Sequence, residues 1–185
     1  AGTLDPLATG LLVLCTGKKT KTINDIQATD KEYTGVITLG ATRPSFDKET
    51  EIEQEFDLSG ITEDAIRDNV KHFLGEIEQV PPIHSAIKVD GERVYKKARR
   101  GEDVKMKSRV VTIREFEITK IEMPNVYFRI ACTKGTYIRS IANDFGKTLG
   151  NGGYLDELRR TKIGDLKIED AMSIDHFMEA TEKND

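Results

Sequence analysis

Apolar positions along the chain recur at two spacings, and each predicts a kind of element. Residues 31–39 alternate, with Tyr33, Gly35, Ile37 and Leu39 on one face and Gly40 ending the run, as in a half-buried strand. Residues 109–122, rich in Val, Ile and Phe, and 126–133 read as an antiparallel pair turning at Met123-Pro124-Asn125. In 62–74, Ile66, Val70, Phe73 and Leu74 fall at i, i+4, i+7 and i+8, with Gly75 as the stop signal, so a helix is expected. After Gly135 a second helix places Ile138, Ile141, Phe145 and Leu149 on one stripe, and Asn151-Gly152-Gly153 terminates it.

Weaker patterns fill the remainder. Leu-Leu-Val-Leu-Cys at 11–15 reads as a short buried strand. Residues 18–29 read as a helix with Ile23 and Ile26 inward, and 41–60 as a polar loop. After Pro81-Pro82 a strand from Ser85 to Val89, a hairpin turn at Asp90-Gly91 and a short basic helix from Tyr95 to Gly101 are expected. A short helix at 154–159, a strand at 162–168 and a helix capped by Ser173 close the chain. Strands and helices interleave but hairpins dominate, which favours an α+β fold: a mixed, mainly antiparallel sheet flanked by helices. No repeat or linker interrupts it.

The 185 residues suit one domain able to bury a core. No apolar run approaches the roughly 18 residues of a membrane span. Two cysteines, Cys15 and Cys132, cannot form a disulfide framework or a zinc cage, and both read as core residues. The net charge of −4 argues weakly against a nucleic-acid partner, but it is an average. Residues 45–80 hold eleven acidic against three basic residues, and 88–109 nine basic against four acidic. Binding to a polyanion depends on the local patch, so the basic segment matters more than the sum; a solvated, salt-laced surface is the alternative reading.

Familiar catalytic signatures are missing: no G-x-S-x-G, no Walker loop, no H-E-x-x-H. His72 and His176 read as surface residues, and His84 as a loop residue or a substrate contact. Asp5 stands out in Gly2-Thr3-Leu4-Asp5-Pro6-Leu7-Ala8-Thr9-Gly10. Pro6 biases it toward an extended conformation, and the flanking glycines permit tight turns. It either caps a turn or presents its carboxylate to a cleft. Arg139 falls in a helical first turn, where a cation opposes the helix dipole unless an anion such as Asp5 or a phosphate compensates. Tyr33 is a third candidate, as core or as site.

These residues resemble a known family. GTLDPLATG is similar to the catalytic motif of the TruB-type tRNA pseudouridine-55 synthases, and its Leu-Ala after Pro6 to their bacterial branch. Asp30-Lys31-Glu32-Tyr33 with Leu39-Gly40 resembles the second motif. Pro81-Pro82, Ser85-Ala86-Ile87-Lys88, Gly91, Tyr95, Ala98-Arg99 and Gly101 resemble an RNA-gripping thumb at about 81–107. Lys134-Gly135-Thr136-Tyr137-Ile138-Arg139-Ser140 and Leu158-Arg159-Arg160-Thr161 with Gly164 resemble the last two. Five motifs run in family order over nearly the whole chain.

The resemblance implies an isomerase that flips a tRNA T-arm uridine and converts it to pseudouridine without cofactor or metal. It implies Asp5 as the essential aspartate and Arg139 as its partner. Tyr33 would stack on the base, with Tyr137 and Leu158 beside the nucleotide and Lys88 and Arg99 on the RNA. It implies a cytoplasmic monomer with no membrane association. The sequence departs from the pattern in three places. A histidine and a lysine- and proline-containing motif would precede Ala1, so 1–185 is expected to be a catalytic domain lacking its front part. The loop Ala41-Thr42-Arg43-Pro44-Ser45-Phe46-Asp47 differs from the commoner version, with Asp47 as the nearest equivalent of a cleft aspartate. Little chain follows Gly164, so a full C-terminal RNA-binding domain is not expected. Two other readings stay open. One is a non-catalytic RNA-binding module. The other is a glycoside or nucleoside hydrolase, which needs a second carboxyl within ~5–10 Å of the first.

Overall fold

The computed structural model describes residues 2–83, 88–89, 92–94, 100 and 106–182. The longest alternating segments form a sheet. The strands are β1 (Thr9–Gly10), β2 (Lys31–Leu39), β5 (Gly75–Gln79), β8 (Arg109–Glu122), β9 (Asn125–Cys132), β10 (Gly153–Ile163) and β11 (Leu166–Lys167). Their order is β1-β10-β2-β9-β8-β5, with β11 also on β10. Every pairing is antiparallel except the parallel β1–β10 contact. Two ribbons stand apart: β3 (Ala41–Thr42) with β4 (Gln54–Glu55), and β6 (Lys88–Val89) with β7 (Glu92–Arg93). The mixed, mainly antiparallel α+β architecture agrees with the sequence pattern.

One face of the sheet is covered by α2 (Glu63–Asn69) and α3 (Ile138–Thr148); among the described residues α1 (Ile23–Ala28) and α4 (Ile174–Glu182) are further helices. Ile138, Ile141, Ala142 and Phe145 of α3 pack on Ile37, Leu39, Phe128 and Ile130, as the helical stripe and the strand alternation require. Phe73, Phe116, Phe128 and Phe145 form a connected aromatic cluster with centroids 5.6–6.2 Å apart. The other face is polar: Arg129 bridges Glu32, Glu115 and Glu117 across three strands.

Several expectations need correction. Residues 154–159 are not a helix but part of β10. Two bulges explain the misreading: Asp156 and Thr161 are extra residues against β2. The first sets Leu155 and Leu158 against one core at a spacing of three, which imitates helical period. The run at 11–15 is not a buried strand. Only Leu11 is buried, while Leu12 and Leu14 are 51% and 75% exposed, because the chain leaves the sheet after β1. Cys15 is accordingly half-buried, and Cys132 alone is a core thiol. The helix at 62–74 is α2 followed by a 3-10 turn at Val70–His72, and Leu74 is exposed. Thr62 caps α2 through its hydroxyl, which accepts from Ala65 N at 3.1 Å. Residues 18–29 begin as a 3-10 turn before α1, and the polar stretch 41–60 contains the β3–β4 ribbon. Ser173 caps α4 as expected, its hydroxyl accepting from His176 N at 3.2 Å. His84, the Asp90-Gly91 turn, residues 95–99 and 101 of the expected helix, and with them Arg99, lie outside the described residues; Lys88 is described only as part of β6.

Two measurements check this packing. A Cβ on Gly146 would lie 2.2 Å from Gly153 N, where α3 crosses the start of β10. Gly146→Ala is therefore expected to cost roughly 3 kcal/mol, the upper end of overpacking costs, in urea unfolding; an unchanged midpoint would contradict the close crossing. Burial also pushes the Cys132 thiol up to about 12. At about pH 8 a thiol reagent should modify Cys15 in the native chain and Cys132 only on unfolding. Two equally fast thiols would contradict the assignment.

Candidate active site

The Asp5 segment lies across the end of the sheet. Pro6 and Leu7 form a turn closed by Ala8 N–H donating to Asp5 O at 2.9 Å. The Asp5 backbone closes this turn, and its carboxylate takes no part in it but faces Arg139. Thr9 and Gly10 pair with Arg159 and Arg160 of β10. Gly10 has φ 105°, and a Cβ there would stand 2.2 Å from Arg160 O. The segment can lie flat on β10 only because that position is glycine.

Arg139 rises from the first turn of α3 and is 3% exposed. It meets Asp5 as a two-pronged pair: Nε donates to Oδ2 at 2.8 Å and Nη2 to Oδ1 at 3.0 Å. The anion that its position in the helix demanded is thus Asp5. Its Nη1 donates to Ser45 O at 3.3 Å, and Asp47 Oδ2 lies 3.8 Å from its Nε. Asp47 is buried, and its Oδ1 accepts from Ser45 Oγ at 2.6 Å and Glu49 N at 2.9 Å. It is a fixed counter-anion behind the arginine. It is not an open carboxyl ready to activate water, and this counts against the hydrolase reading.

The start of α3 is held from the neighbouring strand. Gln79, 1% exposed at the end of β5, accepts from Tyr137 N at 2.7 Å and donates to Tyr137 O at 3.0 Å. Ser140 Oγ donates to Val80 O at 2.7 Å. The Arg109 guanidinium sits 5.0 Å from the Tyr137 ring centre. Tyr33 lies opposite Arg160 in the β2–β10 register, so the two share a face. Burial pushes the Tyr33 hydroxyl up to about 12, against the opposing pull of Arg160. The phenol therefore stays neutral at ordinary pH.

Asp5, Tyr33, Tyr137, Arg139 and Leu158 all line one cleft of about 850 Å³. That volume suits a small molecule or an extruded nucleoside. Every described candidate is thus brought together; Lys88 and Arg99 have no described side chains. Sequence reasoning missed Arg160 and Gln79. Arg160 stood in the last motif without a role, because it fell between the helix expected at 154–159 and the strand expected at 162–168; Gln79 was hidden because nothing local marks a glutamine whose amide completes a distant helix end. Among the described residues, no group of three or more His, Cys, Asp or Glu side chains is placed to hold a metal, and no helix is long and apolar enough to cross a membrane.

Comparison with known proteins adds a lineage to this geometry. Residues 1–138 match the model of the TruB family pseudouridylate synthase N-terminal domain, and 139–185 the tRNA pseudouridylate synthase B C-terminal domain. The chain is 57% identical over 180 residues to a Flavobacterium johnsoniae protein named tRNA pseudouridine synthase B, covering 97% of this chain and 79% of that one. A protein of the same name from Chloroherpeton thalassium is 54% identical, covering 96% and 74%. Among solved structures, a chain of a Cbf5-Nop10-Gar1 complex matches with TM-score 0.73 and 29% identity, over all of this chain and 47% of that one. A chain of an H/ACA RNP bound to a substrate RNA containing 2'-deoxyuridine matches with TM-score 0.69 and 26% identity, over all of this chain and 45% of that one. This chain thus spans about half the length of those solved chains. With the motifs, the cleft and the family models in agreement, the chain belongs to the TruB family of pseudouridylate synthases.

Proposed function

We propose that this chain isomerises uridine to pseudouridine in tRNA, at position 55 of the T-arm. The observation that carries the reading is the Asp5–Arg139 pair at the wall of a nucleoside-sized cleft. The tRNA substrate is inferred from the names of the relatives. A module that only bound RNA would not need a carboxylate held this way.

The reaction breaks the bond from ribose C1′ to uracil N1, turns the base and joins C1′ to C5. The C5 proton is lost and N1 is protonated, so nothing is oxidised or reduced. Asp5 acts ionised, as nucleophile at C1′ or as base at the 2′ position. Arg139 fixes the direction of the carboxylate through its two-pronged hydrogen bonds. The uridine is flipped from its stack, costing on the order of a few kcal/mol. The face of Tyr33 receives it, and stacking of this kind is worth roughly 1–3 kcal/mol. Tyr137 and Leu158 bound the nucleotide, while Lys88 and Arg99 of the thumb at about 81–107 contact the RNA backbone. The same reading has the chain act in the cytoplasm as a monomer, with 1–185 as one catalytic domain.

Asp5→Asn should abolish pseudouridine formation in a T-arm stem–loop, measured by carbodiimide mapping, and leave RNA affinity within about threefold. A mutant that still makes pseudouridine would overturn the catalytic assignment. Arg139→Lys keeps the charge and loses the fork. It should slow single-turnover formation by roughly 10–100-fold, and an unchanged rate would show that the two-pronged geometry is idle.

A further inference from the structure

The Asp5 segment lacks the usual anchor of a protein loop. None of the residues from Gly2 to Gly10 is buried. With Leu4 and Ala8 only half-buried, apolar packing holds the segment weakly, and polar ties carry more of its placement. At the tip the tie is Arg139. At both ends it is Arg160. Its Nη2 donates to Gly2 O at 3.1 Å and its Nε to Leu11 O at 2.9 Å, while its backbone O accepts from Leu11 N at 2.8 Å. One side chain therefore closes the segment like a drawstring, from the strand on which the segment lies.

Arg160 is 2% exposed, and a guanidinium so deeply buried is costly to desolvate. A packed apolar side chain would serve bulk stability at least as well. What an apolar side chain cannot do is hold two carbonyls nine residues apart at fixed positions; the forked donor can. The ends fit this role: Gly2 at φ 74° and Gly10 at φ 105° are residues with the most backbone freedom to lose, which a tie restrains. We propose that Arg160 is a positioning residue for the reaction, clamping the Gly2–Leu11 segment on β10 so that Asp5 meets Arg139 at the cleft. The proposal rests on the functional reading above for its catalytic consequence, and on geometry alone for the clamp.

The test uses Arg160→Gln and Arg160→Lys in the full chain, with three readouts on each: single-turnover pseudouridine formation in a T-arm stem–loop, affinity for the same RNA, and residue-resolved amide hydrogen exchange. Misplacing a reacting group by about 1 Å can cost on the order of 100-fold. The Gln variant should therefore be slowed by about that factor, with the Lys variant in between and RNA affinity nearly unchanged. Exchange should quicken at Ala8 and Leu11 while Ile37, Phe128 and Ile130 stay protected. Unchanged exchange at Ala8 and Leu11 would overturn the clamp. Loss of protection across the whole sheet in both variants would make Arg160 an ordinary core residue and overturn the positioning role. A loosened segment with an unchanged rate would overturn the link to the reaction. If the wild-type chain makes no pseudouridine, the functional reading and the catalytic link fail together, while exchange still decides the clamp.

Discussion

The contact between Asp5 and Arg139 is the constraint around which the cleft is arranged. Arg139 sits in the first turn of α3, where the helix dipole disfavours a cation, and it is almost wholly buried. Such a charge is tolerable only with partners in place. Asp5 supplies two hydrogen bonds, Ser45 a carbonyl and Asp47 a second negative charge. Two segments far apart in sequence, around Asp5 and at 45–47, thus converge on one guanidinium. The burial that makes the arginine costly also makes it directional, because it leaves the fork one way to face.

The sheet provides the frame for that convergence. β10 lies one strand in from the end of it, carrying the Asp5 segment on one edge and β2 on the other. Leu158 and Arg160 of β10 and Tyr33 of β2 therefore reach the cleft from adjacent strands. Gln79 does the same work from β5, fixing Tyr137 by both its amide N–H and its carbonyl. Helix α3 is in turn seated on β10 through the close crossing of Gly146 and Gly153. Core packing sets where the elements lie, and a few buried polar side chains set where the reactive groups point.

Much of this was legible in the sequence where the pattern was local. The alternation of β2 matches the strand to its ends, and so does the stripe of α3, because one apolar face met one core. The site was legible too, through the tight motif around Asp5 and the misplaced charge of Arg139. What stayed hidden depended on tertiary context. The bulges at Asp156 and Thr161 exist only against β2, and they disguised β10 as a helix. Leu12 and Leu14 form an apolar run that the sheet does not cover. Arg160, falling between two expected elements, gave no sign of its role until both its carbonyl partners, in a segment some 150 residues earlier, were seen.

The central claim is that Asp5, held by Arg139, drives an exchange of the C1′–N1 bond for a C1′–C5 bond in tRNA. Forming the new bond expels the hydrogen on C5, so tritium at that position is a direct counter of the chemistry. With tRNA carrying tritium at C5 of its uridines, the account predicts release of one equivalent per tRNA, traceable to position 55. Binding of the tRNA with no tritium released would contradict it.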